Sequence, residues 1–360
     1  MRIRGSRWAR ATVIALAAGS LTISGVLVSP AAQAAPRDLN AVRVQVQDLQ
    51  AKAEAATEKY NSARNELNDV QQQLSGLRDK VKRERGQLQQ ILSSVDDLAR
   101  NTYTSGGLDT SLQVLLAENP SEFLAQAAAL DQVAQAQASS LRRTQTARLR
   151  LAQSEAAVQD KEAIAKKYRD QMASSKKEAD SRLSEAKKVL ASLEAAERRR
   201  LAAIEARERA ASAAAAAAAR RSLSSYGASS AGGGVPAVSG RASAAVSYAL
   251  SKVGYRYVAA AAGPSSFDCS GLTMSAWRQA GVSLPHYSYS QYSSTRRISL
   301  SEARPGDLVF FFGGGVHHVG MYIGNGKMVH AANPSAGVRI DAVLGPWYNR
   351  YFSGVGRVVG

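Results

Sequence analysis

Phe267-Asp268-Cys269-Ser270-Gly271-Leu272 carries the only cysteine of the 360-residue chain. A lone thiol behind an export signal cannot serve an internal disulfide, so it is free, intermolecular or chemically active. Leu272, Met274, Ala276, Trp277 and Ala280 follow at helical spacing, which predicts a helix that begins at Cys269 and stops near Gly281. In a first helical turn the unpaired N–H groups and the positive dipole end favour an anion, so the thiol pKa is expected below its free value of about 8.5. The competing reading is a buried structural cysteine, which packs as a small hydrophobe.

A nucleophilic thiol needs a base. The chain has four histidines, His286, His317, His318 and His330. Val316 to Ile323 reads as a strand, Gly324-Asn325-Gly326 as a turn and Lys327 to Ala331 as the returning strand. A two-residue Asn325-Gly326 turn pairs His330 with Met321 and sends it to the face opposite His318; a three-residue loop pairs His330 with Gly320. In the second register His318 and His330 are diagonal neighbours on one face, with no side chain at Gly320 between them. His318 then takes the proton from Cys269, and His330 holds the imidazole in its productive tautomer. The alternative makes both ordinary polar positions on a half-buried strand.

Around these residues lie Tyr257-Val258, Gly263-Pro264-Ser265-Ser266, Leu284-Pro285, Pro305-Gly306-Asp307-Leu308-Val309-Phe310, His318-Val319-Gly320-Met321-Tyr322-Ile323-Gly324 and His330-Ala331. In order and spacing these blocks, covering about the last third of the chain, resemble the NlpC-type (NlpC/p60) cell-wall cysteine peptidases. The resemblance implies a compact papain-like α+β domain with a Cys-His-His triad. It also implies cleavage of peptidoglycan stem peptides, commonly between D-glutamate, linked through its side chain, and diaminopimelate. It makes Cys269 the nucleophile, His318 the base and His330 the third member. It places the Tyr257 hydroxyl beside the oxyanion site and sets Asp268 and Ser270 against the free amino end of the substrate. Many relatives have Trp-Gly after Tyr-Val, whereas this chain has Ala259-Ala260, so a bulky wall of the cleft is missing. His317 is expected on the other face of its strand without a role, and His286 as a solvated loop residue.

The rest of the chain is not globular. Residues 1–34 have a basic start, an apolar run from Ala11 to Val28 and Ala32-Gln33-Ala34, the pattern of a signal peptide cleaved after Ala34 or Ala35. A retained membrane anchor is the rival reading. Residues 35–221 read as a coiled-coil helical region. Val46, Leu49, Ala53, Ala56, Tyr60, Ala63, Leu67, Val70, Leu74, Leu77 and Val81 recur at gaps of three and four, and the series continues to Leu98 with only Glu84 interrupting. That is a heptad stripe about 90 Å long. A break near 103–123 predicts a tip, and a second long helix is expected from about Glu122 to Arg221, making an antiparallel hairpin or pairing with a second copy. Ala210 to Ala219 extend that helix on propensity alone. Residues 222–240, rich in Ser, Gly and Ala, read as a flexible linker, and 241–360 as the peptidase domain.

This layout resembles secreted division hydrolases whose coiled coil restrains the enzyme until a membrane partner engages it. An FtsX-like division protein at the coiled-coil tip and self-association are the partners so implied. The formal net charge of +17 invites a nucleic-acid reading, but export excludes it, and the basic runs read as solvated helical faces. The anionic wall or acidic head groups are the counter-surface. No metal-ligand spacing or phosphate loop is present, so neither metal nor cofactor is expected. The sequence thus reads as a secreted, wall-associated peptidoglycan endopeptidase that cuts the D-gamma-glutamyl-diaminopimelate bond by thiolate attack, in wall remodelling or daughter-cell separation. The alternative is a non-catalytic wall-binding scaffold or an activator of another hydrolase.

Overall fold

The three-four apolar spacing forms one uninterrupted helix, α1 (Leu39–Thr104), in the computed structural model, which describes residues 38–104, 120–228 and 240–358. The signal-peptide segment, residues 105–119 of the expected tip and residues 229–239 of the linker lie outside the described residues. Among the described residues no helix is long and apolar enough to cross a membrane. The stripe of α1 packs on α2 (Pro120–Ala191), and Leu67, Val70 and Leu74 bury against Ala165. The ion pairs Lys59–Glu178, Arg78–Glu162 and Arg85–Glu155 climb α1 while descending α2, so the hairpin is antiparallel. Exposed pairs of this kind contribute about 0–1 kcal/mol each, so they report alignment rather than supply stability. The apolar stripe does that work.

The second helix differs from the sequence expectation. It is two helices, α2 and α3 (Ala195–Ala228), separated at Ser192–Glu194. Leu193 turns inward there to join Val42, Val46, Leu49, Ala186 and Leu201, and the Glu197 side chain accepts from the Glu194 N–H at 2.9 Å. A buried leucine and a new N-terminal cap outweigh the lost helical hydrogen bonds. The alanine run of α3 is not held by propensity alone. Ala216 is buried in the core of the C-terminal domain with Ala215, Ala219 and Leu223 against it, and Ser212 Oγ accepts from the Ile340 N–H at 2.8 Å. Small side chains let α3 approach the sheet closely and cover an edge strand that would otherwise expose backbone donors. The helix also continues through Ser222 to Ala228, residues expected to begin the linker.

The C-terminal domain is α+β. Helix α4 (Gly240–Ser251) precedes a two-stranded parallel pair, β1 (Arg256–Tyr257) with β2 (Ser266–Phe267), and then α5 (Cys269–Gln279) and α6 (Ser288–Ser294). A six-stranded antiparallel sheet follows, made of β3 (Arg296–Ile298), β4 (Leu308–Phe311), β5 (His318–Gly324), β6 (Lys327–Asn333), β7 (Gly337–Ala342) and β8 (Phe352–Arg357), in the order β3-β8-β4-β5-β6-β7. Helices α4 and α5 lie on one face, where Val246, Leu250, Leu272 and Trp277 meet Leu308, Phe310, Val319, Met321 and Val329. The opposite face packs Val309, Phe311, Met328 and Val355. Period-two alternation along β4 thus feeds two cores.

The β5–β6 hairpin turns on the two residues Asn325-Gly326, closed by the Gly324–Lys327 pair, and a bulge at Ile323 gives the register expected of a three-residue loop. Met321 pairs with Val329 and Tyr322 with Met328, which sets Gly320 opposite His330, and the register shifts only at the turn. A Cβ at Gly320 would meet Met328 Sδ at 2.8 Å and His330 Cβ at 3.2 Å. Gly320→Ala is therefore expected to destabilise the fold by about 1–3 kcal/mol, the usual cost of overpacking. A thermal midpoint equal to that of the wild type would show that β6 yields without strain.

Candidate active site

Asp268 has extended backbone and caps α5, its Oδ1 accepting from the Gly271 N–H at 2.6 Å, so Cys269 is the first helical residue. The strands bring in the histidines. His318 Nε2 and His330 Nδ1 are 2.8 Å apart, and His330 Nε2 lies 3.0 Å from Asp341 Oδ2. Asp341 in turn pairs with Arg339 at 2.8 Å. Burial lowers the His330 pKa more than Asp341 raises it, so a neutral ring accepts at Nδ1 and donates from Nε2 to the carboxylate. Burial alone would raise the Asp341 pKa, but the hydrogen bond from His330 and the charge and hydrogen bond of Arg339 hold it below the usual carboxylate value. The chain His318, His330, Asp341 sets His318 Nε2–H as the donor to His330 and leaves Nδ1 for a further partner. The three residues named from the sequence do converge, and Asp341 extends them. No motif marks Asp341; only the β6–β7 register, which sets His330 opposite Arg339, brings it near.

The cleft is filled by α1. Gln50, Glu54, Glu58, Asn61 and Arg64 are spaced by four, four, three and three residues and so share one helical face, beside the apolar stripe. Glu54 Oε1 is 2.7 Å from His318 Nδ1. Glu58 accepts from Ser270 Oγ at 2.8 Å, from Ser288 Oγ at 2.7 Å and from the Ser288 N–H, and the Cys269 thiol lies 3.8 Å from it. Asn61 donates to Asp268 Oδ2 at 3.0 Å. Arg64 bonds the Ala260 carbonyl at 3.4 Å and His286 Nδ1. Cys269, His318 and His330 are each fully buried. Sequence reading missed these contacts because charged residues beside a heptad stripe ordinarily face solvent.

Burial raises the Cys269 pKa well above its ordinary value, and Glu54, Glu58 and Asp268 add to that. The thiolate expected from the helix position is therefore disfavoured in this arrangement, since burial, joined by three nearby carboxylates, outweighs one helix dipole. Glu58 is pushed up to about 7, first by burial and then by Asp268, against the hydrogen bonds from Ser288 and Ser270. The consequence has a definite sign. A raised acid pKa means that the seated helix holds its proton more tightly than the free helix does. Seating is favoured below the ordinary value of 4.5 and loses that advantage as pH rises through about 7. Hydrogen exchange of α1 amides around Glu58, corrected for intrinsic rates, is expected to show more frequent opening at pH 8 than at pH 5, and Glu58→Gln to remove the difference.

The remaining expected residues fall as follows. Tyr257 is buried with no hydrogen-bond partner for its hydroxyl among the described residues, and Glu54 and Tyr257 line one small cavity. Asp268 and Ser270 are buried beside the cysteine. His286, read as a solvated loop residue, is instead buried, with Nε2 2.7 Å from Asp268 Oδ1. The cap carboxylate needs a second donor, and the Pro285 loop delivers one. His317 stacks on Phe312 at 4.0 Å, and its carbonyl, not its ring, lies 3.9 Å from the thiol. Ala260 has φ 60°, a left-handed conformation that glycine adopts more cheaply.

The C-terminal domain is similar to known proteins. The NlpC/P60 family model matches residues 254–357. A probable endopeptidase p60 of Listeria monocytogenes is 52% identical over 97 residues, which are 27% of this chain and 20% of that protein. A probable endopeptidase of Mycobacterium tuberculosis is 40% identical over 112 residues, 31% of this chain and 29% of its own. The chain thus spans less than a third of the length of these curated relatives. Among solved structures, RipD of Mycobacterium tuberculosis, described as a non-catalytic NlpC/p60 domain protein adapted to peptidoglycan binding, is 25% identical. That match covers 34% of this chain and 100% of that one, with a TM-score of 0.30. Residues 254–357, with the cysteine helix and the histidine hairpin in register, are an NlpC/P60-family domain of the cell-wall peptidase type.

Proposed function

We propose that the protein is a secreted peptidoglycan endopeptidase with a cysteine nucleophile, held inactive by its own helix α1 until the coiled coil is moved. The observation that carries this is a His318–His330–Asp341 chain beside the Cys269 thiol, with Glu54, Glu58 and Asn61 seated against these residues. Once the cleft is free, His318 Nδ1 takes the Cys269 proton while its Nε2–H stays on His330. The thiolate attacks the peptide carbonyl, and the oxyanion forms near the Cys269 backbone N–H and the Tyr257 hydroxyl. His318 then protonates the leaving amine, and water releases the acyl group.

The α1 side chains also indicate what the cleft accepts. Asn61 presents an amide N–H to Asp268, where a substrate amino group would bind, and Glu58 presents a carboxylate to Ser270 and Ser288. An amino end next to a free carboxylate fits the L-alanyl-γ-D-glutamyl portion of a stem peptide, hence cleavage before diaminopimelate. Wall remodelling or daughter-cell separation is the setting, and an FtsX-like membrane partner at the far end of the hairpin is the proposed release signal. Incubating the protein with purified peptidoglycan and analysing released peptides by mass tests the bond. Products ending in D-glutamate support it; soluble fragments uncut at that bond would overturn it. A non-catalytic scaffold is the second reading, but an intact catalytic chain has no use in one.

A further inference from the structure

The buried face between α1 and the cysteine helix holds three different metal-type donors. A carboxylate oxygen of Glu54, Cys269 Sγ and a His318 ring nitrogen all lie within 4.8 Å of one another, each residue buried. Tetrahedral zinc, with ligands at about 2.0 Å for oxygen and nitrogen and about 2.3 Å for sulfur, separates its donors by roughly 3.3–3.6 Å. Small side-chain shifts bring this set to that spacing. We propose that the closed form binds one zinc ion through Glu54, Cys269 and His318, so that zinc fastens α1 into the catalytic cleft. The sequence shows no metal spacing because one ligand comes from the coiled coil and two from the peptidase domain.

Three further features fit such a site. The other nitrogen of His318 is anchored on His330 and, through it, on Asp341, the outer support that zinc-bound histidines commonly have. Glu58 and Asp268 also border the thiol, so the pocket carries an excess of acidic groups that a cation offsets. A cavity of about 420 Å³ lined by Glu54, Asp341 and Tyr348 borders the carboxylate end of this set. Thiolate, imidazole and carboxylate together suit a borderline-soft ion over magnesium or calcium. On binding, Cys269 releases its proton to solvent, and His318 coordinates through Nδ1 while its Nε2–H remains on His330. The fourth position falls to water.

The proposal rests on the closed arrangement described above, and its test is independent of cleavage. The full-length protein is titrated with cobalt(II) as a spectroscopic stand-in and with zinc in competition. One equivalent is expected to give tetrahedral cobalt bands with a thiolate-to-metal charge-transfer band, and zinc to displace it. Cys269→Ser is expected to lose the charge-transfer band, and Glu54→Gln, which keeps shape and helix propensity, to weaken binding at least roughly tenfold. Zinc is further expected to raise the thermal midpoint of the wild type and not of Glu54→Gln. The absence of a thiolate band at one equivalent, or equal affinity of the wild type and Glu54→Gln, would overturn the proposal. Either result would leave the peptidase reading standing, because wall digestion is measured without added metal.

Discussion

Cys269→Ala is expected to abolish wall cleavage, with a loss on the order of 10⁴-fold or more, while leaving the thermal midpoint nearly unchanged. The measurement belongs in an opened background, Glu54→Ala/Glu58→Ala/Asn61→Ala, because a seated α1 would hide the difference. The neighbours rank behind the thiol. His318→Ala is expected to cost nearly as much, since no other imidazole in the site is held in place to take the thiol proton and return it to the leaving amine. His330→Ala removes the support 2.8 Å from His318 and leaves Asp341 without its histidine, so some rings still reach the productive orientation and the loss is smaller, about 10- to 100-fold. His317→Ala should change turnover by less than about threefold, because that ring stacks on Phe312 and only its carbonyl approaches the thiol. An essential His317, or full activity without Cys269, would remove the mechanism.

The opened background is itself the second large effect. The triple substitution Glu54→Ala/Glu58→Ala/Asn61→Ala is expected to raise wall digestion by the full-length protein on the order of 100-fold or more. Alanine keeps α1 helical, so the hairpin survives. If the helix stayed seated, however, Ser288 N–H, Asp268 and His318 would lose these partners and face methyl groups. An unsatisfied buried polar group costs roughly 1–3 kcal/mol, so three of them favour opening by several kcal/mol. A digestion assay at equal molarity, with circular dichroism as a check on helix content, decides it. Equal rates for the triple variant and the wild type would mean that α1 positions the enzyme without restraining it.

Much of the site was legible in the sequence because its logic is local. Asp-Cys-Ser-Gly before an apolar helical run fixes the nucleophile at a helix start, whereas the two-residue Asn325-Gly326 turn puts His318 and His330 on one face only because Ile323 bulges out of the pairing. The heptad from Val46 likewise determines a long helix without any knowledge of its partner. Tertiary structure decided what those elements meet. Asp341 joins the histidines only through strand pairing, and His286 is buried only because the cap carboxylate recruits it. The alanines of α3 pack only because the sheet edge lies beneath them. The largest decision was made at Glu54, Glu58 and Asn61, which in sequence are indistinguishable from any solvated helical face. A helix has two exposed flanks beside its apolar stripe, and nothing in its periodicity says which flank a distant domain will cover. That covering reverses the thiol's expected ionisation, because burial among three carboxylates overrides the helix dipole that the local sequence provides.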